Sequence, residues 1–269
     1  MPQATRNRDA THAVVFSPLD ATGRAELVEQ RLTDAIVAGV LRDGERLPSE
    51  SDLAKSLGVA VVTAREALEG MRDKGLVLTR RGREGGSFVT YDRDTARRLI
   101  DTRLRELSRI ELRDLALHTA AIAGTAAEVA ADRASDDDLE TLVAIDERAD
   151  ISTAGGARRA VGRFHLEVAA VSQSPRLVHE ELRLQAEGGA LLWLCLREQE
   201  YRDESARRRG EIILAIREVA PDAARAATIA QIDSALEWLV DEKLRLDASS
   251  RNSGGSAEAQ RQSIEEEAR

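Results

Sequence analysis

The sequence predicts a mainly α-helical protein, with an N-terminal winged helix-turn-helix of three helices and a β-hairpin wing, followed by an all-α bundle of six or seven helices. Two observations carry this. Residues 49–89 read as helix, turn, helix and a glycine-tipped basic hairpin, whereas from about Asp94 to Leu246 amphipathic helical patterns follow one another with almost no strand signal. The composition, 42% hydrophobic but only 3% aromatic, favours helices, and 269 residues suffice for two domains.

The elements follow in order. Residues 1–19 read as a flexible arm, 20–90 as the winged domain, 91–94 as a short polar linker and 95–246 as the helical domain. The first helix, from about Asp20 to Gly39, carries Val28, Leu32 and Ile36 on one face. Ser49, directly after Leu47-Pro48, can cap a second helix whose third position is Asp52. Leu53, Ala54 and Leu57 form its inward face, and Gly58 ends it. In the third helix Ala64, Leu68 and Met71 form the buried stripe, which turns Val61, Val62, Arg65 and Glu69 outward together. Gly75 closes that helix. Leu76-Val77-Leu78-Thr79-Arg80 is an extended run leading into Arg81-Gly82-Arg83-Glu84-Gly85-Gly86, before Ser87-Phe88-Val89 returns. Arginines at a glycine-rich tip suit phosphates or a minor groove, because guanidinium is a fork donor and glycine lets the backbone approach closely. The pattern therefore points to duplex DNA.

In the second part, Ser135 followed by Asp138 reads as a helix start, Ser152-Thr153-Ala154-Gly155-Gly156 as a loop, Ser174-Pro175 as another start and Pro221 as a first-turn proline. Residues 247–269 are Ser, Gly, Glu and Gln with few apolar side chains. They bury too little to offset their ordering entropy and are expected to be a disordered acidic tail.

The formal net charge of −9 is a weak argument against DNA, since a winged domain needs only a local positive surface. Cys195 is the only cysteine, which excludes an intrachain disulfide and a cysteine metal cage. Its setting in Leu191-Leu192-Trp193-Leu194-Cys195-Leu196 reads as a packed thiol in a reducing compartment. No apolar run reaches membrane-spanning length, so a cytoplasmic protein without membrane contact is expected. Nucleophile elbow, phosphate loop, dinucleotide fingerprint and zinc-protease motif are all missing, and no helix follows Gly82–Gly86 to make it a phosphate cradle. An enzyme is not expected. His118 and His179 read as ordinary helix residues, and Trp193 and Trp238 as core or dimer packing.

The segment from Leu41 to Val89 resembles the amino-terminal domain of GntR-type transcriptional regulators. Gly44, Leu47-Pro48-Ser49-Glu50, Leu53-Ala54, Leu57-Gly58-Val59, Arg65-Glu66-Ala67-Leu68, Gly75-Leu76-Val77 and Gly82 carry the likeness. The resemblance implies that Arg65 contacts bases in the major groove while the tip around Arg81 and Gly82 enters the neighbouring minor groove. Two departures stand out. Ala60, Val61 and Val62 replace the hydroxyl residue, arginine and threonine with which many relatives open the recognition helix, and Ser51 stands where relatives often place an arginine. The DNA-facing set is then Ser49, Ser51, Val61, Val62, Thr63, Arg65, Arg80, Arg81, Gly82 and Arg83. The valines are expected to pack on thymine methyl groups.

The stretches DLALHTAAIAGTAAEVAADRASDDDLETL, RFHLEVAAVSQSPRLV and RRGEIILAIREVAPDAARAATIAQI are similar to the all-helical FCD effector domain of FadR-like GntR regulators. In many members that bundle holds a metal through an aspartate, a histidine four residues later and two further histidines. Here His165 matches the first histidine, but Val161, Arg209 and Gln231 fill the other three positions. One imidazole beside a guanidinium repels a cation, so no metal cofactor is expected. Two readings of Arg209 stay open: it binds an organic anion, with His165, Gln231 and Thr119 completing an effector pocket, or it pairs with a buried acid. Thr119 stands where relatives place a pocket arginine. The expected protein is a homodimeric, ligand-responsive regulator, a repressor on a near-palindromic operator, and the first reading of Arg209 makes its effector a small anionic metabolite. The alternatives are a DNA binder without an effector and a domain that still binds metal.

Overall fold

A computed structural model describes residues 24–37, 41–82, 85–90 and 92–267, without the side chains of 37, 93, 94, 96, 97 and 250–267. The expected arm, Tyr91 of the expected linker and Arg83 lie outside the described residues.

The winged domain is built from α1 (Arg24–Val37), α2 (Glu50–Leu57), α3 (Val61–Asp73) and an antiparallel hairpin of β1 (Val77–Arg80) and β2 (Gly86–Val89), paired from Val77↔Val89 to Arg80↔Gly86. Ser49 caps α2 by accepting from the Asp52 amide at 3.1 Å, and Gly58 leaves it in the left-handed region at φ 67°. Val28, Leu32 and Ile36 of α1 close on Leu53, Leu57, Leu68, Met71 and Leu76 in one core. Each such aliphatic side chain, fully buried, contributes about 2 kcal/mol, and this is what fixes the angle between α2 and α3.

The helical domain comprises α4 (Arg93–Glu106), α5 (Arg109–Arg133), α6 (Asp136–Glu147), α7 (Ala154–Val171), α8 (Pro175–Leu184), α9 (Gln199–Arg217) and α10 (Pro221–Glu267). Its starts are chemical. Ser108 with Glu111 and Ser135 with Asp138 form reciprocal capping boxes, while Ser174 caps α8 with Pro175 in its first turn. The glycine pair expected in a loop instead enters α7. Thr153 caps the helix, and a Cβ on Gly156 would stand 2.2 Å from the Asp150 carbonyl oxygen, so only glycine fits this first turn.

Between α8 and α9 the chain stays wound, as a π turn at Gln185–Gly189 and a 3₁₀ stretch at Trp193–Arg197. This irregular rod, which plain helical periodicity does not foresee, buries Leu191, Leu192, Trp193, Leu194, Cys195 and Leu196 in a core completed by Leu112 of α5 and by Ile232 and Leu239 of α10. Burial pushes the Cys195 thiol up to about 12, as a packed thiol requires.

Two boundaries differ from the sequence expectation. The polar stretch after Val89 is not a linker of four residues, because Asp92 accepts from the Thr95 amide and α4 starts at once. In α4, Leu99 packs against the winged core and Ile100 and Leu104 enter the helical core, so one helix belongs to both. Arg103 of α4 pairs with Asp34 of α1 at 3.8 Å, and Lys243 of α10 donates to the Leu104 and Arg105 carbonyls at 3.2 and 2.8 Å. The backbone of α10 is helical through Glu267, across the segment whose composition predicts disorder. Ala, Glu, Gln and Arg are strong helix formers, and winding a helix does not require the apolar contacts that folding a core does.

Candidate functional site

The face of α3 that points away from the core carries Val61, Val62, Arg65 and Glu69, all exposed as their spacing dictates. Val61 and Val62 are 43% and 56% exposed, an unusual place for β-branched apolar side chains unless something covers them. Ala60 offers no side-chain cap, so the first amides of α3 are not satisfied by a cap hydroxyl. Thr63 is half-buried at the rim of this face, and Ser51 is exposed on α2. The Ser49 hydroxyl is already engaged: it caps α2 and donates to Asp52 Oδ2 at 2.6 Å.

Two partners that the sequence reading missed organise the positive groups. Arg65 Nε donates to Glu50 Oε2 at 2.9 Å, which ties the recognition helix to the first residue of α2. Arg46 bridges to β2 and its Nη2 donates to the Gly85 carbonyl at 2.7 Å, clamping the stem of the wing. A Cβ on Gly86 would stand 2.9 Å from Arg46 Nε, so this glycine makes room for the clamp. Arg80 is exposed in the last pair of the hairpin, opposite Gly86. Its guanidinium lies 4.4 Å over the Phe88 ring and stiffens the hairpin, leaving Arg81 and Gly82, at φ 113°, as the described exposed part of the tip.

The second constellation lies inside the helical domain. Arg209 is buried, and its Nε donates to Asp146 Oδ1 at 2.7 Å and its Nη1 to Ser205 Oγ at 3.3 Å. Gln231 Nε2 donates to Ser205 Oγ at 3.0 Å and to the Ser205 carbonyl at 3.3 Å, which fixes its amide orientation and turns Oε1 toward His165. His165 Nε2 is 3.0 Å from that oxygen and must be the donor. Burial drives the imidazole down to about 4 against the opposing Gln231 hydrogen bond, and the Arg209 charge adds to the fall, so His165 is neutral at pH 7. Its ring stacks on Trp193 with centroids 5.8 Å apart.

The structure thus brings His165, Arg209 and Gln231 together, through a Ser205 that the sequence reading did not include. Thr119 stands outside this network, with its hydroxyl donating to the Leu115 carbonyl of its own helix at 2.8 Å. Arg209 faces an internal carboxylate, so an organic anion could reach it only by displacing Asp146. The void lined by Trp193, Ser205 and Gln231 has a volume of ≈ 10 Å³, room for about one water and no metabolite. The donor set does not fit a divalent ion either. His165 Nε2 is spent on Gln231, Val161 offers no ligand atom and a guanidinium stands beside the ring; among the described residues no three His, Cys, Asp or Glu side chains converge.

Comparison with known proteins agrees with this geometry. Residues 24–89 match the gntR family of bacterial regulatory proteins, and residues 114–234 match the FCD domain. The chain is 33% identical over 235 residues to the HTH-type transcriptional regulator RmpR of Mycobacterium gastri, covering 86% of each protein. It is also 30% identical over 155 residues to the HTH-type transcriptional repressor NanR of Cronobacter sakazakii, covering 52% of this chain and 56% of that one. Among solved structures, McbR/YncC of E. coli aligns over 82% of this chain and 99% of its own, at 17% identity and a TM-score of 0.47. A DNA-reading winged domain joined to an FCD bundle, in a chain that matches RmpR over most of its length, belongs to the GntR family of bacterial transcriptional regulators, which bind DNA and are not enzymes.

Proposed function

We propose that this regulator is a FadR-like homodimeric repressor that reads a near-palindromic operator and works in the cytoplasm. The observation that carries the DNA reading is the exposed α3 face, where Arg65 sits one turn after the exposed Val61 and Val62. Arg65 reads a guanine edge, the valines pack on thymine methyls, and Arg81 and Gly82 reach the adjacent minor groove. A two-fold operator calls for a two-fold protein. Ile110 and Leu117, 77% and 69% exposed one heptad apart on α5, supply an apolar stripe for the second copy to cover. The repressor sense follows NanR, a transcriptional repressor.

A small carboxylate-bearing effector would act on the helical domain by exchanging with Asp146 on Arg209, which frees α6 from α9. Because α4 belongs to both cores, a shift there changes the tilt of the winged domains and lowers DNA affinity. The closed state of Arg209 favours a second reading, in which DNA binding is not modulated through this centre.

Fluorescence anisotropy on a duplex from upstream of the protein's own gene, against a scrambled duplex, tests the DNA reading. Selective binding that Arg65→Ala abolishes supports it, and equal weak binding to both duplexes overturns it for that operator. A carboxylate library screened in the same assay tests the effector: a response that Arg209→Ala leaves unchanged removes the pocket.

A further inference from the structure

The Arg65–Glu50 pair is more than a surface ion pair. The two side chains are 55% and 35% exposed, and pairs this wet contribute little to stability. The junction of α2 and α3 is instead held by Leu53, Leu57 and Leu68, all fully buried. Glu69, one turn farther along α3, leans toward Arg72 at 3.8 Å, which leaves Glu50 as the carboxylate on Arg65.

Placing an acid against the phosphate-facing surface of a DNA binder weakens binding to every sequence, so it needs a compensating role. The geometry supplies one. A guanidinium is a planar fork, and a carboxylate on Nε fixes its plane while leaving the Nη1 and Nη2 edge free. That edge presents two parallel N–H donors, the pattern that guanine N7 and O6 accept in the major groove. Without Glu50 the same side chain could swing to a phosphate, which carries no sequence information.

We propose that Glu50 is a specificity-determining positioning residue, holding Arg65 end-on for guanine and penalising DNA that offers phosphate charge alone. This rests on the reading of α3 as the groove-facing helix. Its signature is two-signed: removing Glu50 strengthens binding to non-cognate DNA while weakening discrimination.

The test uses the full chain with three duplexes: a high-affinity site obtained by selection from randomised DNA, the same site with guanines replaced by 7-deazaguanine, and a scrambled control. For Glu50→Ala we expect the ratio of cognate to scrambled affinity to fall about tenfold, the scrambled affinity itself to rise about two- to threefold, and the 7-deazaguanine penalty to shrink. Glu50→Gln, which keeps an acceptor for Nε, should restore most of the 7-deazaguanine penalty. In an Arg65→Ala background, Glu50→Ala should leave the ratio unchanged. Equal losses on all three duplexes would mean that Glu50 only supports the first turn of α2, and an unchanged ratio would likewise overturn the proposal. If Arg65→Ala itself binds the selected site like the parent protein, the groove-reading assignment of Arg65 fails first, and the role of Glu50 falls with it.

Discussion

Arg209 on α9 and Asp146 on α6 form an ion pair at 2.7 Å in which the guanidinium is almost wholly buried and the carboxylate keeps one side to solvent. The asymmetry sets what each substitution does. Arg209→Ala leaves Asp146 and Ser205 short of a partner and opens a gap between two helices, and should cost about 3 kcal/mol in urea unfolding. Asp146→Asn keeps the shape and an acceptor for Nε but leaves a guanidinium that water does not reach without its counter-charge, so its cost should match or exceed that of Arg209→Ala. A cost for Asp146→Asn well below that of Arg209→Ala would show that the guanidinium is not shielded as the structure has it.

Glu181, at the end of α8, is buried with Oε1 accepting from Gln185 Nε2 at 2.8 Å and Oε2 unpartnered. Burial pushes its carboxyl up to about 7 from the ordinary value of 4.5, against the Gln185 hydrogen bond. Between those values the folded form holds more protons than the unfolded one, so this group's contribution is lost as pH rises through about 7. Glu181→Gln should therefore stabilise the protein by about 2 kcal/mol at pH 8 and hardly at all at pH 4.5. Urea midpoints of both proteins at the two pH values check this, and a parallel pair of pH profiles would count against it.

Val219 ends α9 in a left-handed conformation, at φ 51°, with Ala220 donating to the Ala215 carbonyl and Val219 to that of Ile216. This is the site where helices place glycine, and a β-branched residue there carries strain of about 1 kcal/mol. Val219→Gly should raise the thermal midpoint by a few degrees without altering DNA affinity. A lower midpoint would mean that the exposed isopropyl group makes contacts in the assembled protein.

Leu117→Glu tests the seam proposed on α5. Because the side chain is exposed, its replacement should leave the unfolding free energy of the protomer within about 0.5 kcal/mol while shifting the full chain toward monomer in sedimentation. Operator affinity should fall with it. A variant that sediments as a dimer at all concentrations would place the seam elsewhere.

Much of this protein is legible in one dimension because its signals are local. Ser49 three residues before Asp52, Ser108 before Glu111, Ser135 before Asp138 and Pro175 after Ser174 each set a helix start with groups that meet within one turn. The spacing of Ala64, Leu68 and Met71 likewise settles which way Arg65 faces. The glycine pair at 155–156 was misread because its meaning depends on the Asp150 carbonyl folding back over it.

The sequence by itself determined the order of elements, the winged motif and the outward face of the recognition helix, since each follows from propensity, capping and periodicity over a few residues, while the family was legible only as a resemblance of motif residues. Only the tertiary structure decided that Glu50 grips Arg65, that Arg46 clamps the wing, that Asp146 occupies Arg209 and that Ser205 links Arg209 to Gln231 and His165. The physical reason is distance along the chain. These partners lie from 15 to 66 residues apart except within α9, and polar side chains that far apart meet only where burial of apolar faces has first brought their helices together.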